Sequence, residues 1–463
     1  MIRKLIKGVE GKVSEPKKQE EHTPVTTPQA STPPPLRAKH MSIQLRPQDE
    51  PTREEETTAP VDDRIIIHAP PRGQQHLMDN EAIALASEPW YHGLMPRGEM
   101  STLLTREGDF LVRKTEVGKT QRFVVSTFWN NRILHILIRL GTNGRWSFSN
   151  MEVETISKLI RFYMRAKVEL LPEGPKLLFP VCRPKWYILH ENLTLKQKLG
   201  SGSFGDVYQA ELVQSDGKKL EVAVKMLKGK MGKKERAQFV KEASLNRRFK
   251  HPNVLRLLGV ASQVEPVMVV SELASGGSLR SHCRNNPNLA VHQLTKYLYD
   301  AAKGMEYLSE SGVVHRDVAA RNCLLTSDDQ VKISDFGLSV AQTEIKETKL
   351  SKVPVRWLAI ETLKAGIFST KSDVWSFGVM MWEVYSYCKA DPYPGLTNAE
   401  ARAAILNGQK LKPPSEQPQF AVDIMEKCWI VEPKDRASFT DIVRALGHGI
   451  VDYTSFPQEQ SCY

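Results

Sequence analysis

Four short stretches in fixed order constrain this chain more than any other feature: "LGSGSFGDVY" (199–208), "VAVK" (222–225), "VVHRDVAARNCLL" (313–325) and "VKISDFGLS" (331–339). Gly200, Gly202 and Gly205 let the backbone turn tightly and approach a nucleotide's phosphates, with Leu199, Ser201, Ser203, Phe204, Asp206 and Val207 completing the loop. That spacing alone is shared with dinucleotide-binding folds, which need a helix straight after the glycines. "DVYQAELV" reads instead as a strand, which rejects that alternative. Lys225 can neutralise phosphates, and Glu242 in the helical "AQFVKEASLNRRF" can pair with it. Asp317 is placed to accept the proton of an acceptor hydroxyl, while Asn322 and Asp335 are placed to hold Mg²⁺, or Mn²⁺, between phosphate oxygens. Each residue alone reads as a surface acid or amide; together and in order they point to in-line phosphoryl transfer.

At 463 residues the chain predicts two or three domains, because one core seldom serves more than about 250–300 residues. No apolar run reaches the roughly 18 residues of a membrane span. Ile2 follows Met1, so the glycine needed for myristoylation is missing. The six cysteines form no CxxC pair, which excludes zinc and thioredoxin-like readings and fits a reduced, cytoplasmic protein. The formal net charge of +11 is not concentrated in one block, which argues against a nucleic-acid-binding tail and suits phosphate-bearing ligands.

Residues 1–85 are rich in Pro, Thr and Glu and predict a disordered segment. At its start Ile2, Leu5, Ile6 and Val9 alternate with Arg3, Lys4, Lys7 and Lys12. Two readings stand: a frayed basic terminus, or a short helix making peripheral contact with the inner face of the plasma membrane. From Trp90 the composition changes to short strand-like runs, "GDFLVRK", "RFVVSTFW" and "RILHILIRL", followed by the helical "TISKLIRFYM". This is the pattern of a small α+β domain over 88–180. A linker (181–192) leads to a block over 193–448 that begins with strands and becomes helix-rich, then to a tail (449–463).

Residues 193–448 resemble a eukaryotic protein kinase catalytic domain. The resemblance implies a β-rich N-lobe, a helical C-lobe and ATP between them. It implies that Ala223 and the hinge residues Ser271, Glu272 and Ala274 line the adenine site, that Asp373 of "SDVWSFGV" braces the catalytic loop, and that Arg436 of "PKDRASF" anchors Glu361. "AARN" (319–322), including Arg321, "VPVRW" (353–357), "DPYPGLT" (391–397) and "KCW" (427–429) resemble tyrosine kinases rather than serine/threonine kinases.

"WYHGLMPRGEM" followed by "GDFLVRK" resembles the start of an SH2 domain. Arg113 interrupts an otherwise apolar strand, and a planar guanidinium suits a doubly charged phosphate. Arg97, Thr115 and His135 would add contacts to phosphotyrosine. Lys114, Ile136 and Leu137 depart from common SH2 residues and leave the preferred peptide open. SH2 followed by kinase is most similar to the Fes/Fer group of non-receptor tyrosine kinases. It implies phosphotyrosine proteins as partners and protein tyrosines as substrates. The likeness does not extend to that group's F-BAR helices. A pseudokinase scaffold is the rival reading, and retention of Lys225, Asp317, Asn322 and Asp335 argues against it.

The activation segment, 335–361, contains no tyrosine. A carboxylate at Glu344 or Glu347 could substitute for the phosphate that orders this loop in Fes-like kinases; the competing reading is solvated charge on a loop. Control would then lie in SH2 engagement, localisation, or Thr343, Thr348 or Ser351. Ile360 stands where the family usually has proline.

Overall fold

The short apolar runs after Gly108 fold as an antiparallel sheet. The computed structural model describes residues 75–117, 120–201, 205–227, 239–240, 243, 246–335, 339, 342–347, 353–415 and 417–455. Gly202, Ser203, Phe204, Glu242, Thr348, Ser351 and the basic N-terminus lie outside the described residues. Strands β1 (Asp109–Val117), β2 (Thr120–Trp129) and β3 (Arg132–Leu137) pair in sequence, and β7 (Phe179–Pro180) adds in parallel to β1. Asn130 (φ 51°) and Asn131 (φ 60°) make the β2–β3 turn, where asparagine tolerates the left-handed region. A second small sheet, β4 (Arg139–Leu140), β5 (Trp146–Ser147) and β6 (Glu152–Val153), precedes the helix α3 (Ile156–Ala166). The short α2 (Arg97–Ser101) lies between Trp90 and β1.

Two boundaries differ from the sequence reading. Residues assigned to a disordered 1–85 include α1 (Gln75–Leu85), whose Met78, Ala82 and Leu85 join the core formed by Phe123, Trp146, Ile156 and Tyr163. Glu81 accepts the backbone N–H of Ile156 at 2.6 Å and so caps α3. Asp79 pairs with Lys114 Nζ at 3.1 Å. Lys114, anomalous as an SH2 residue, is therefore the buried anchor of α1. At the other end, the helix Phe439–Ser455 runs past 448 into the expected tail.

The N-lobe sheet has the order β11-β12-β10-β9-β8, from β8 (Leu193–Ser201), β9 (Gly205–Val213), β10 (Lys219–Leu227), β11 (Leu257–Ala261) and β12 (Met268–Glu272). The C-lobe packs around the helix Thr370–Tyr385, which is buried along nearly its whole length, as helices apolar on every side are. A capping box from Ser369 and Ser372 starts it. Beside it lie β13 (Gly277–Ser278), β14 (Cys323–Leu325) and β15 (Val331–Ile333), and the pair β16 (Glu344–Lys346) with β17 (Ile367–Ser369).

The SH2-like domain packs on the N-lobe. Leu94 enters a cluster with Phe239, Val240, Ala243, Leu257 and Val260, so it shares a core with helical residues on either side of position 242. Leu94 N–H donates to Ser262 O at 2.8 Å, and Tyr91 Oη donates to Gln263 O at 3.1 Å. Gly93 (φ +59°) is required here, because a Cβ would overlap the Ser262 carbonyl. Tyr187 and Ile188 of the linker run alongside Val260.

Candidate active site and anion pocket

Strand register builds the nucleotide side of the cleft. Gly200 lies opposite Val207 and Ser201 opposite Asp206, closing the hairpin that carries Leu199 and Gly205. Ser201 Oγ donates to Asp206 at 2.7 Å. Lys225 sits between Val207 and Val269, two residues along β10 from Ala223, which faces Ser271 at the start of the hinge with Glu272 and Ala274. The Glu272 side chain turns back to Lys332 at 2.9 Å and to the Arg256 N–H.

The β14–β15 hairpin brings the catalytic loop and Asp335 together. Cys323 pairs with Ile333, so Asn322 and Ser334 are neighbours, and Ser334 N–H donates to Asn322 O at 2.8 Å. Lys225 Nζ reaches Asp335 Oδ1 across the cleft at 3.1 Å. Asp317 is gripped on both oxygens: Arg321 pairs with Oδ1, and Asn322 Nδ2 donates to Oδ2 at 2.8 Å. With Nδ2 committed, the amide oxygen of Asn322 is the atom left to face a cation. That oxygen and the Asp335 carboxylate are hard donors, which suits a divalent ion of the magnesium type.

Below this sits a brace. Asp373 accepts the backbone N–H groups of His315 at 2.7 Å and Arg316 at 2.9 Å. Burial pushes its carboxyl up to about 7 against the pull of those two donors. Arg316 (φ 72°) occupies the left-handed region, so this bond pair holds strained backbone in place; Asp335 (φ 60°) occupies the same region. Burial keeps the His315 imidazole well below its usual range. The neutral ring then donates from Nε2 to Ser334 O and accepts the Asp317 N–H at Nδ1. Glu361 and Arg436 form a two-pronged pair at 2.7 and 3.1 Å.

Two contributors, Glu383 and Arg356, escaped the sequence reading. Glu383, 1% exposed, accepts from Trp357 Nε1 at 2.9 Å and from Ala320 N–H at 3.1 Å, tying the segment 353–357 to the loop that carries Asp317. A lone acid inside the apolar "VMMWEVY" was its signal. Arg356 holds the carbonyls of Pro392, Tyr393 and Leu396. Arg321, already singled out in the sequence, stacks over the Trp357 ring at 4.4 Å as well as binding Asp317.

The anion pocket lies on the first sheet. Arg113 pairs with Val124 and donates from Nε to Ser126 Oγ at 3.1 Å; His135, opposite Ser126, reaches the same hydroxyl at 3.1 Å. Arg113 is 2% exposed, and its Nη2 has no hydrogen-bond partner among the described residues. Burial, with Arg97 nearby, lowers its pKa to about 10. Burial, Arg113 and Arg97 lower His135 to about 3. The pocket thus concentrates positive potential around an unsatisfied guanidinium. Arg97 is exposed at the start of α2, and Thr115 is half-buried on β1, two residues beyond Arg113.

Comparison with known proteins agrees with this geometry. The family "Protein tyrosine and serine/threonine kinase" matches residues 193–446, and "SH2 domain" matches 90–163. Fer-related kinase 1 of Caenorhabditis elegans is 40% identical over 369 residues, covering 78% of this chain and 94% of its own length. Spermatocyte protein spe-8 of the same organism is 38% identical, over 77% of this chain and 70% of its own. Tyrosine-protein kinase Fer of Homo sapiens is 37% identical over 82% of this chain, which spans only 47% of that longer relative. A tyrosine kinase cleft with an SH2 domain seated on its N-lobe, and relatives that share both, make this chain a member of the Fer/Fes-related non-receptor tyrosine kinases.

Proposed function

We propose that the chain docks on phosphotyrosine proteins through Arg113 and transfers the γ-phosphate of ATP, bound with Mg²⁺, to tyrosine hydroxyls nearby. The observation that carries this is the Asp317 carboxylate, fixed by Arg321 and Asn322 and set close to the Lys225–Asp335 pair. Asp317 accepts the tyrosine proton, Lys225 orients the phosphates, and Asn322 with Asp335 would hold the metal, which supplies charge neutralisation on the transferring group. The shelf from Val353 to Trp357 sets the depth at which an aromatic hydroxyl meets Asp317. In an assay on a tyrosine copolymer, Asp317→Asn should lose roughly 10²–10⁴-fold in rate. An inactive wild type would instead make the kinase fold a scaffold.

The cluster that joins Leu94 to Phe239, Val240 and Ala243 supports a second role, holding that helical stretch of the N-lobe in its active position. Leu94→Asp should lower the rate on a short unphosphorylated peptide; an unchanged rate would remove this role. We place the protein in the cytoplasm. The basic amphipathic residues 2–12 fit recruitment to anionic membrane surfaces. Among the described residues no helix is long and apolar enough to cross a membrane.

A further inference from the structure

The activation segment carries no tyrosine, yet part of it is built into the catalytic loop. β16 pairs with β17 through Glu344 with Ser369, Ile345 with Phe368 and Lys346 with Ile367. Glu347 N–H then donates to Gly366 O at 2.9 Å. Gly366 adopts φ +70°, and a Cβ there would overlap the Glu347 carbonyl oxygen, so the close approach needs glycine. This short ribbon delivers the Glu347 carboxylate to Arg316 Nη2 at 2.6 Å. The Arg316 side chain is only 7% exposed and lies 4.2 Å from the centre of the Phe368 ring. A cation buried to that degree needs an anionic partner. Its backbone N–H is fixed by Asp373, and the next residue is Asp317.

We propose that Glu347 is a positioning residue: a permanent acidic strut that orders the activation segment on Arg316 and thereby sets Asp317, without phosphorylation of the segment. A carboxylate offers the same acceptor oxygens to a guanidinium as a phosphate, with less charge and no need of a modifying enzyme. Of the two acids considered from sequence, Glu344 is exposed on β16 and Glu347 makes the pair. The switch that other members place in this loop is here wired closed, leaving docking through the SH2 domain as the point of control.

The inference rests on the kinase reading, and the experiment separates the two. The full chain, made in bacteria and treated with a phosphatase that acts on phosphoserine, phosphothreonine and phosphotyrosine, is assayed on a tyrosine copolymer alongside Glu347→Gln, Glu347→Asp and Glu344→Gln. Wild-type turnover tests the kinase reading; the ratios test this one. The treated wild type should keep its rate. Glu347→Gln should lose about tenfold or more in kcat with KM for ATP within about twofold. Glu347→Asp, which keeps the charge, should recover part of the loss, and Glu344→Gln should match wild type. The proposal is overturned if phosphatase removes most of the wild-type rate, a result that needs no variant to fold. Equal kcat for Glu347→Gln and wild type, or for Glu347→Gln and Glu347→Asp, would also overturn it.

Discussion

Arg113 and Arg436 are each 2% exposed, yet they sit in opposite surroundings. Arg436 donates to Glu361, Lys371 O, Ile430 O and Val431 O, so its five N–H groups have acceptors around the whole guanidinium. Arg113 has a hydroxyl on Nε and an idle Nη2. Under the proposed function, the same side chain at the same depth is a structural rivet where the protein supplies the counter-charge and a receptor where it withholds it. The withheld interaction is recovered from the ligand, which is why a buried, unsatisfied arginine marks a binding site more reliably than an exposed one.

This contrast can be broken by mutation. Arg436→Ala leaves Glu361 partly buried without its partner and should cost on the order of 3–5 kcal/mol of kinase-domain stability, read by chemical denaturation. Arg113→Ala should cost about 2–5 kcal/mol in phosphopeptide binding by calorimetry. Unlike the Arg436 variant it should leave the melting temperature unchanged or raise it, since a desolvated charge is removed. If both variants unfold alike, the distinction between rivet and receptor fails. The smallest effect sharpens it. His135 binds a proton more weakly when folded, at about 3, than the ordinary imidazole near 6.5. The unfolded chain therefore takes up the proton first, so this contribution to stability is complete above about pH 6.5. It falls by at most about 1.4 kcal/mol per pH unit as pH drops below that. Arg113→Ala, which removes one cause of the shift, should move the His135 titration upward by NMR; an unmoved titration would mean the pocket is not electrostatically coupled.

The reaction class was legible in the sequence because loops that handle phosphate need particular side chains at fixed offsets, and Lys225, Asp317, Asn322 and Asp335 stand in the order that proposal requires. Parts that depend on tertiary contact were not. Helix α1 follows a long Pro- and Thr-rich stretch, and its three core residues gain meaning only against α3 and β5. The choice between Glu344 and Glu347 turned on the register of β16 against β17, which no local pattern encodes. Ile360 is informative in the opposite sense. Its expected loss of a proline's fixed φ is accompanied by burial in the C-lobe core, where a branched aliphatic chain packs at the first helical position.

The linker has a further consequence. β11 is the outermost strand of the N-lobe sheet, and such an edge offers unpaired backbone groups to any passing strand. Val260 spends both of its groups on the linker, receiving from Ile188 N–H at 3.0 Å and donating to Trp186 O at 2.9 Å. The segment between the domains is thus a lid on a sticky seam. A kinase fragment cut at residue 193 would lose that lid and should self-associate where the longer chain stays dispersed.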